Sequence, residues 1–339
     1  MTTIVADCLS TSPLARCLQA ELGTRYTIQR MMPGGAMAHV FLAWEHALAR
    51  PIVIKVLLPQ LAAELSLERF RREITISASL QHPHIVPVLT AGETDGLPYF
   101  MMPFVEGESL RTRLERGRGI GTIDGLRLLR EVASALDCAH RKRIIHRDIK
   151  PGNLLMSHGS AIVTDFGLAK ALHDGGVDEG KLTSHGIALG TPAYMSPEQA
   201  AGSDAIDERA DLYSFGVLAY ELFTGAPTFG DRTPRELLAA HINEAPVPIW
   251  TLRPTLPAPL ASLIMGCLEK DPDRRPRSAG GIVETLDSLS AERRAMASVV
   301  RSSGSGRLRA LRAVEGAAAA VVVAGAAGVR RWLGLPGGR

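Results

Sequence analysis

The run His146-Arg147-Asp148-Ile149-Lys150-Pro151-Gly152-Asn153, with Asp165-Phe166-Gly167 beginning twelve residues after Asn153, gathers the side chains best suited to chemistry in this chain. Transfer of a γ-phosphoryl group asks a protein to align a hydroxyl and neutralise charge rather than to form covalent bonds. Asp148 can accept or orient a hydroxyl proton. Lys150 can meet charge developing on the phosphoryl group, and Asn153 with Asp165 offers hard oxygen ligands to Mg²⁺.

The elements that must position these groups can be read from apolar periodicity. A glycine turn separates residues 26–32 from 40–44, and 51–57 follow, which predicts antiparallel strands. In Pro51-Ile52-Val53-Ile54-Lys55 the lysine alternates with strand residues that belong inside, and a charge in such a strand needs a partner. Glu73 is the natural one, on a single helix predicted over 61–80 from Leu61, Leu65, Phe70 and Ile74, ended by Pro83 and Pro87. Residues 85–89 and 98–105 are predicted to complete the small sheet. Beyond Gly107 the helical patterns of 126–140 and 212–223 predict a mainly α part. Leu14, Leu18 and Leu22, at four-residue intervals, predict a packing helix within residues 1–23.

HRDIKPGN and DFG in this order resemble the catalytic and metal-binding loops of eukaryotic-like protein kinases, with the closest similarity to bacterial Hanks-type serine/threonine kinases, over roughly residues 25–289. That resemblance implies an α+β, two-lobed fold: a small antiparallel β-sheet lobe plus one helix (about 24–103) and a large, mainly α-helical lobe (about 106–289). It implies ATP with Mg²⁺ or Mn²⁺, and protein substrates with Ser or Thr. By the same resemblance Gly34 and Gly35 belong to the phosphate-covering loop, in which Pro33 and Ala38 stand where the family keeps glycine; Pro33 costs a backbone donor. Lys55 meets the α- and β-phosphates and Glu73 orients it. Val40 and Val53 lie against the nucleotide, Met102 is the gatekeeper, the Pro103 carbonyl and Val105 N–H meet the adenine, and Leu155 floors its pocket. Thr191, in Gly190-Thr191-Pro192-Ala193-Tyr194, contacts the catalytic aspartate and lysine. Glu198, in Ser196-Pro197-Glu198, pairs with Arg275 beneath the substrate platform, Asp211 braces the catalytic-loop backbone, and His146 with Phe166 is core. Thr183 and Ser184 lie between the DFG and SPE motifs, and a phosphate on Thr183 would find Arg147, implying autophosphorylation and self-association. A non-catalytic interaction module is the rival, motivated by Pro33, Ala38 and Val53. Small-molecule phosphotransfer is disfavoured by the intact stretch from Gly190 to Glu198.

At 339 residues, 46% hydrophobic and 22% charged, the composition is that of an ordinary globular protein. The four cysteines show no CxxC spacing, which argues against a structural zinc site and predicts buried free thiols. The basicity is local: nine arginines against two acids after residue 290 give that tail +7, leaving −4 before it, so nucleic acid is not an expected partner. The N-terminus lacks the basic start and apolar core of a signal peptide, and a cytoplasmic kinase domain is expected. Residues 290–339 read as a basic, juxtamembrane-like tail. Its apolar run 316–329, followed by Arg330, Arg331 and Trp332, is short for a span but carries the flanks of one, leaving a membrane tether and a low-complexity cytosolic tail as the two readings.

Overall fold

Two-residue alternation, interrupted by a bulge between Ile28 and Arg30 of the first strand, builds the small lobe. β1 (Tyr26–Met32), β2 (Ala38–Glu45) and β3 (Arg50–Leu57) are consecutive antiparallel neighbours, and β5 (Leu97–Pro103) lies between β3 and β4 (Thr90–Thr94). The computed structural model describes residues 12–34, 37–64, 66–117, 120–166 and 191–295. By its contacts the chain divides into two units, Met1–Asp287 and Ser288–Arg339; in the second the described residues, 288–295, are helical.

β2, β3 and β5 send alternate residues to two separate cores. Ile52, Ile54 and Val56 of β3, with Phe41 and Ala43 of β2 and Tyr99 and Met101 of β5, pack under α1 (Pro13–Leu22), which buries Leu18 and Leu22. Ser12 starts α1 by accepting from the Ala15 N–H at 3.2 Å. The opposite face gathers Val53 and Leu57, Val40, and Phe100 and Met102 against Leu61 of α2 (Pro59–Glu64) and Phe70 and Ile74 of α3 (Leu67–Ala78). Where one helix over 61–80 was expected, there are two, because Ser66 adopts an extended conformation (φ −70°, ψ 125°) at the N-cap of α3. Leu65 lies outside the described residues.

The stretch 85–89 is not a strand, and β4 takes the sheet edge instead. Pro83 and Pro87 lack ladder N–H donors, and Ile85 and Val86 attach to the large lobe, the Val86 N–H donating to the Val163 carbonyl at 2.9 Å. A second sheet of β6 (Glu108–Ser109), β7 (Leu154–Ser157) and β8 (Ser160–Val163) follows the crossover. Gly107 begins it at φ 143°, where a Cβ would stand 2.0 Å from the Met156 carbonyl oxygen, so only glycine fits.

The large lobe is built on α5 (Thr122–His140) and α7 (Arg209–Thr224). Every residue of α7 from Ala210 to Phe223 is buried, the signature of a helix enclosed on all sides. Further helices follow along the chain: α4 (Leu110–Glu115), α6 (Pro197–Ala200), α8 (Pro234–Asn243), α9 (Ile249–Leu252), α10 (Ala258–Cys267), and a helix over 279–295. Among the described cysteines all are free thiols and only Cys267 is buried; Cys17, expected inside, is exposed on α1. Among the described residues no helix is long and apolar enough to cross a membrane.

Candidate active site

Parity along β3 decides where Lys55 goes. Ile54 and Val56 face the α1 core, so Lys55 shares the face of Val53 and Leu57 and reaches the space between the lobes. There Lys55 Nζ donates to both carboxylate oxygens of Asp165, at 2.6 and 2.7 Å. The ion pair at Lys55 is therefore made with Asp165 and not with Glu73, which is buried on α3 and does not line the cleft. Asp165 sits at φ +71°, a left-handed conformation that aspartate tolerates better than most residues. Burial pushes its carboxyl up, but the charge and hydrogen bonds of Lys55, with the Lys150 charge adding, outweigh burial and hold it below the ordinary carboxylate value.

The catalytic loop hangs from one buried carboxylate. Asp211, fully buried on α7, accepts from the backbone N–H groups of His146 and Arg147 and from His140 Nε2, each at 2.8 Å. Burial raises the Asp211 pKa, and the bond and charge of His140, with the bond from the His146 backbone N–H, outweigh burial and hold it below the ordinary carboxylate value. Arg147, at φ +64°, is held in this conformation from both ends, since Gln199 Nε2 donates to its carbonyl at 2.8 Å. His146 accepts at Nδ1 from the Asp148 N–H (3.2 Å), so its Nε2 carries the hydrogen given to the Thr164 carbonyl (2.8 Å), and its ring meets Phe166 edge-on at 4.5 Å. With both nitrogens committed, His146 is a core element rather than a base.

Asp148 is the opposite case. Asn153 Nδ2 donates to its carbonyl and to Oδ2, both at 2.8 Å, and Lys150 Nζ lies 2.8 Å from the same Oδ2 and 2.9 Å from Thr191 Oγ1. Both side-chain partners fall on Oδ2, so Oδ1 is the oxygen available to an incoming hydroxyl. The Asn153 amide nitrogen is turned toward Asp148, so its side-chain oxygen is the atom that could hold a cation, as could the carboxylate of Asp165 in the same cavity.

These groups converge on one cavity of about 620 Å³. Lys55, Asp148, Lys150, Asn153, Asp165 and Thr191 line its polar end; Val40, Val53, Met102, Pro103, Val105 and Leu155 line its apolar end, with Gly34 at the roof. Gly35, Thr183 and Ser184 lie outside the described residues. Arg147 does not line the cavity. Arg30, Glu108, Ser109 and Thr112 do, and none of them was expected there; for Glu108 and Ser109 the reason is that a two-residue strand such as β6 has no periodicity to detect. Below the platform, Glu198 and Arg275 form a bidentate pair at 2.7 and 2.8 Å.

Residues 26–285 match the protein kinase domain model. The chain belongs to the protein kinase family. This kinase is 38% identical over 272 residues to serine/threonine-protein kinase pkn2 of Myxococcus xanthus, covering 78% of this chain and 32% of pkn2. It is 36% identical over 266 residues to serine/threonine-protein kinase PknB of Mycobacterium tuberculosis, covering 77% of this chain and 42% of PknB. It is 38% identical over 265 residues to a probable serine/threonine-protein kinase of Streptomyces coelicolor, covering 76% and 39%. The chain thus spans 32 to 42% of the length of these relatives. Its small antiparallel lobe and helical lobe are those of the α+β kinase fold.

Proposed function

We propose that this kinase transfers the γ-phosphoryl group of ATP, with a divalent cation, to serine or threonine hydroxyls of proteins. The observation that carries the reading is the convergence of two charged constellations, Lys55 with Asp165 and Lys150 with Asp148 and Thr191, on the same cavity whose other end is apolar. The apolar end suits adenine, between Val53 and Leu155, with the Pro103 carbonyl and Val105 N–H for its polar edge. Lys55 leaves Asp165 to grip phosphate oxygens, and the family resemblance gives Glu73 of α3 the role of orienting it. Asn153 and Asp165 would hold Mg²⁺ or Mn²⁺, with phosphate oxygens supplying further ligands; when bound, the cation neutralises charge between the β- and γ-phosphates. Asp148 Oδ1 then orients the acceptor hydroxyl and Lys150 screens the γ-phosphate.

Lys150 two residues after Asp148, with Thr191 as its partner, matches the serine/threonine form of the family and supports aliphatic hydroxyls as acceptors. Phosphoamino-acid analysis after incubation with γ-labelled ATP and Mg²⁺, then Mn²⁺, tests this: label on serine and threonine is expected, and label confined to tyrosine sinks it. Thr183, with Ser184, is the proposed site of autophosphorylation between two copies, with Arg147 receiving the phosphate; unchanged activity of Thr183→Ala, dephosphorylated and then treated with ATP, rules that out. The tail is proposed to touch membrane through residues 316–329, and equal membrane fractionation of the full chain and of residues 1–300 decides against it. The pairing of Lys55 with Asp165 in place of Glu73 also suits a binding module without catalysis, which ATP binding with no transfer would reveal.

A further inference from the structure

Tyr194 lies one 3₁₀ turn beyond Thr191, and the network that holds it has no part in the transfer chemistry above. Its phenol donates to Glu221 Oε2 and accepts from Arg111 Nη2, while Arg111 Nη1 donates to Glu221 Oε1 at 3.1 Å. Tyr194 and Glu221 are buried, whereas the Arg111 side chain is 37% exposed, so a surface guanidinium reaches in to neutralise an interior carboxylate. Ser214 Oγ donates to the Tyr194 carbonyl at 2.7 Å. Ser214 and Glu221 are seven residues apart on α7 and therefore share a face, along which Tyr194 is fastened at both its backbone and its hydroxyl.

The bonds continue to the reacting centre. The Tyr194 N–H donates to the Thr191 carbonyl at 3.0 Å, and the Thr191 hydroxyl accepts from Lys150, the lysine on Asp148. At the other end Arg111 sits on α4 next to Thr112, which lines the nucleotide cavity with Ser109. An unbroken series of contacts thus runs from the cavity rim through Arg111, Glu221 and Tyr194 to Thr191.

We propose that Arg111 is a positioning residue for the acceptor side of the reaction, fixing through Glu221 and Tyr194 the turn that presents Thr191 to Lys150 and Asp148. This rests on the kinase reading. Without the guanidinium, Glu221 is a buried charge that must take a proton or admit water, and the phenol loses a donor; the turn of residues 192–194 loosens while the adenine and phosphate contacts stay as they were. The consequence is selective: the acceptor is held less well and ATP is not.

The test compares wild type, Arg111→Ala, Arg111→Lys and Tyr194→Phe, with casein as acceptor, reading KM for casein and for ATP separately, and hydrogen exchange at the amides of Ala193, Tyr194 and Met195. Arg111→Ala is expected to raise KM for casein roughly tenfold, the scale of a lost buried bond to a charged group, with KM for ATP unchanged. Millimolar guanidinium should restore much of the loss, and Arg111→Lys, which keeps the charge but not the fork, should fall between. Tyr194→Phe should share the phenotype, and adding Arg111→Ala to it should cost little more. Casein and ATP constants moving together without guanidinium rescue, or neither moving, overturns the proposal. If wild type transfers no phosphate, the kinase reading fails on its own, and exchange still decides: Arg111→Ala amides at 193–195 as protected as in wild type refute the positioning role.

Discussion

Arg275→Ala gives the sharpest test of how the segment that carries Glu198 is held. The guanidinium is fully buried and donates five bonds: two to Glu198 at 2.7 and 2.8 Å, and one each to the carbonyls of Arg209, Glu269 and Lys270 at 2.7, 2.9 and 3.1 Å. It also lies 5.0 Å from the centroid of the Tyr213 ring. Deleting it strands a carboxylate only 13% exposed, together with three carbonyls, and loss of one partner of such a buried pair costs about 3–5 kcal/mol. Glu198→Gln is milder, because the amide oxygen still accepts and the three carbonyl bonds survive; about 1–2 kcal/mol is expected. Replacing both partners by apolar residues, Glu198→Leu with Arg275→Met, often restores stability where a buried pair stands alone. Here the stranded carbonyls should keep the double variant about 1–3 kcal/mol below wild type. Urea unfolding followed by circular dichroism measures all three. An Arg275→Ala loss below about 1 kcal/mol, or full recovery in the double variant, refutes the reasoning that the carbonyls share the guanidinium's role.

Stability should also fall on acidification because of His241. Burial first, and the Lys270 charge second, push its pKa down to about 4, and the Tyr213 hydroxyl bonds its Nδ1 at 3.0 Å. The unfolded chain therefore binds the proton more readily, so the contribution of the neutral ring is complete above about 6.5 and is lost as pH falls through about 4, with a size of about 3 kcal/mol. His241→Gln should flatten the stability profile between those values; an unchanged slope contradicts the assignment. Asp211→Asn replaces an acceptor of three bonds by a group that must turn an NH₂ toward one of the donors, and should cost about 3 kcal/mol by thermal unfolding and at least about tenfold in transfer rate. A variant as active and as stable as wild type would show that the catalytic loop does not hang from this carboxylate.

Much of the site was legible because its residues are close in sequence or fixed by parity. Asp148, Lys150 and Asn153 sit on one loop, and Lys55 had to face away from Ile54 and Val56 once the strand was recognised. What escaped was pairing at long range. Lys55 meets Asp165 across 110 residues, where the reading of local patterns favoured Glu73, and the Arg111–Glu221–Tyr194 network joins positions 110 and 83 residues apart. Local conformation escaped as well: the apolar spacing of 61–80 continues through Ser66, where the backbone leaves the helix, and 85–89 looks like a strand although Pro87 has no N–H to give and the Val86 N–H goes to Val163 of the large lobe. Apolar pattern reports which side of an element is buried. It does not report which distant element buries it.

The most direct measurement is phosphoryl transfer from γ-labelled ATP beside equilibrium ATP binding, for wild type, Asp148→Asn and Lys55→Met. Wild type is expected to bind and to transfer, Asp148→Asn to bind with similar affinity and transfer nothing above background, and Lys55→Met to lose both. Transfer by Asp148→Asn at the wild-type rate, or undiminished ATP binding and transfer by Lys55→Met, would contradict a single cleft in which Lys55 and Asp165 hold the nucleotide and Asp148 presents the hydroxyl.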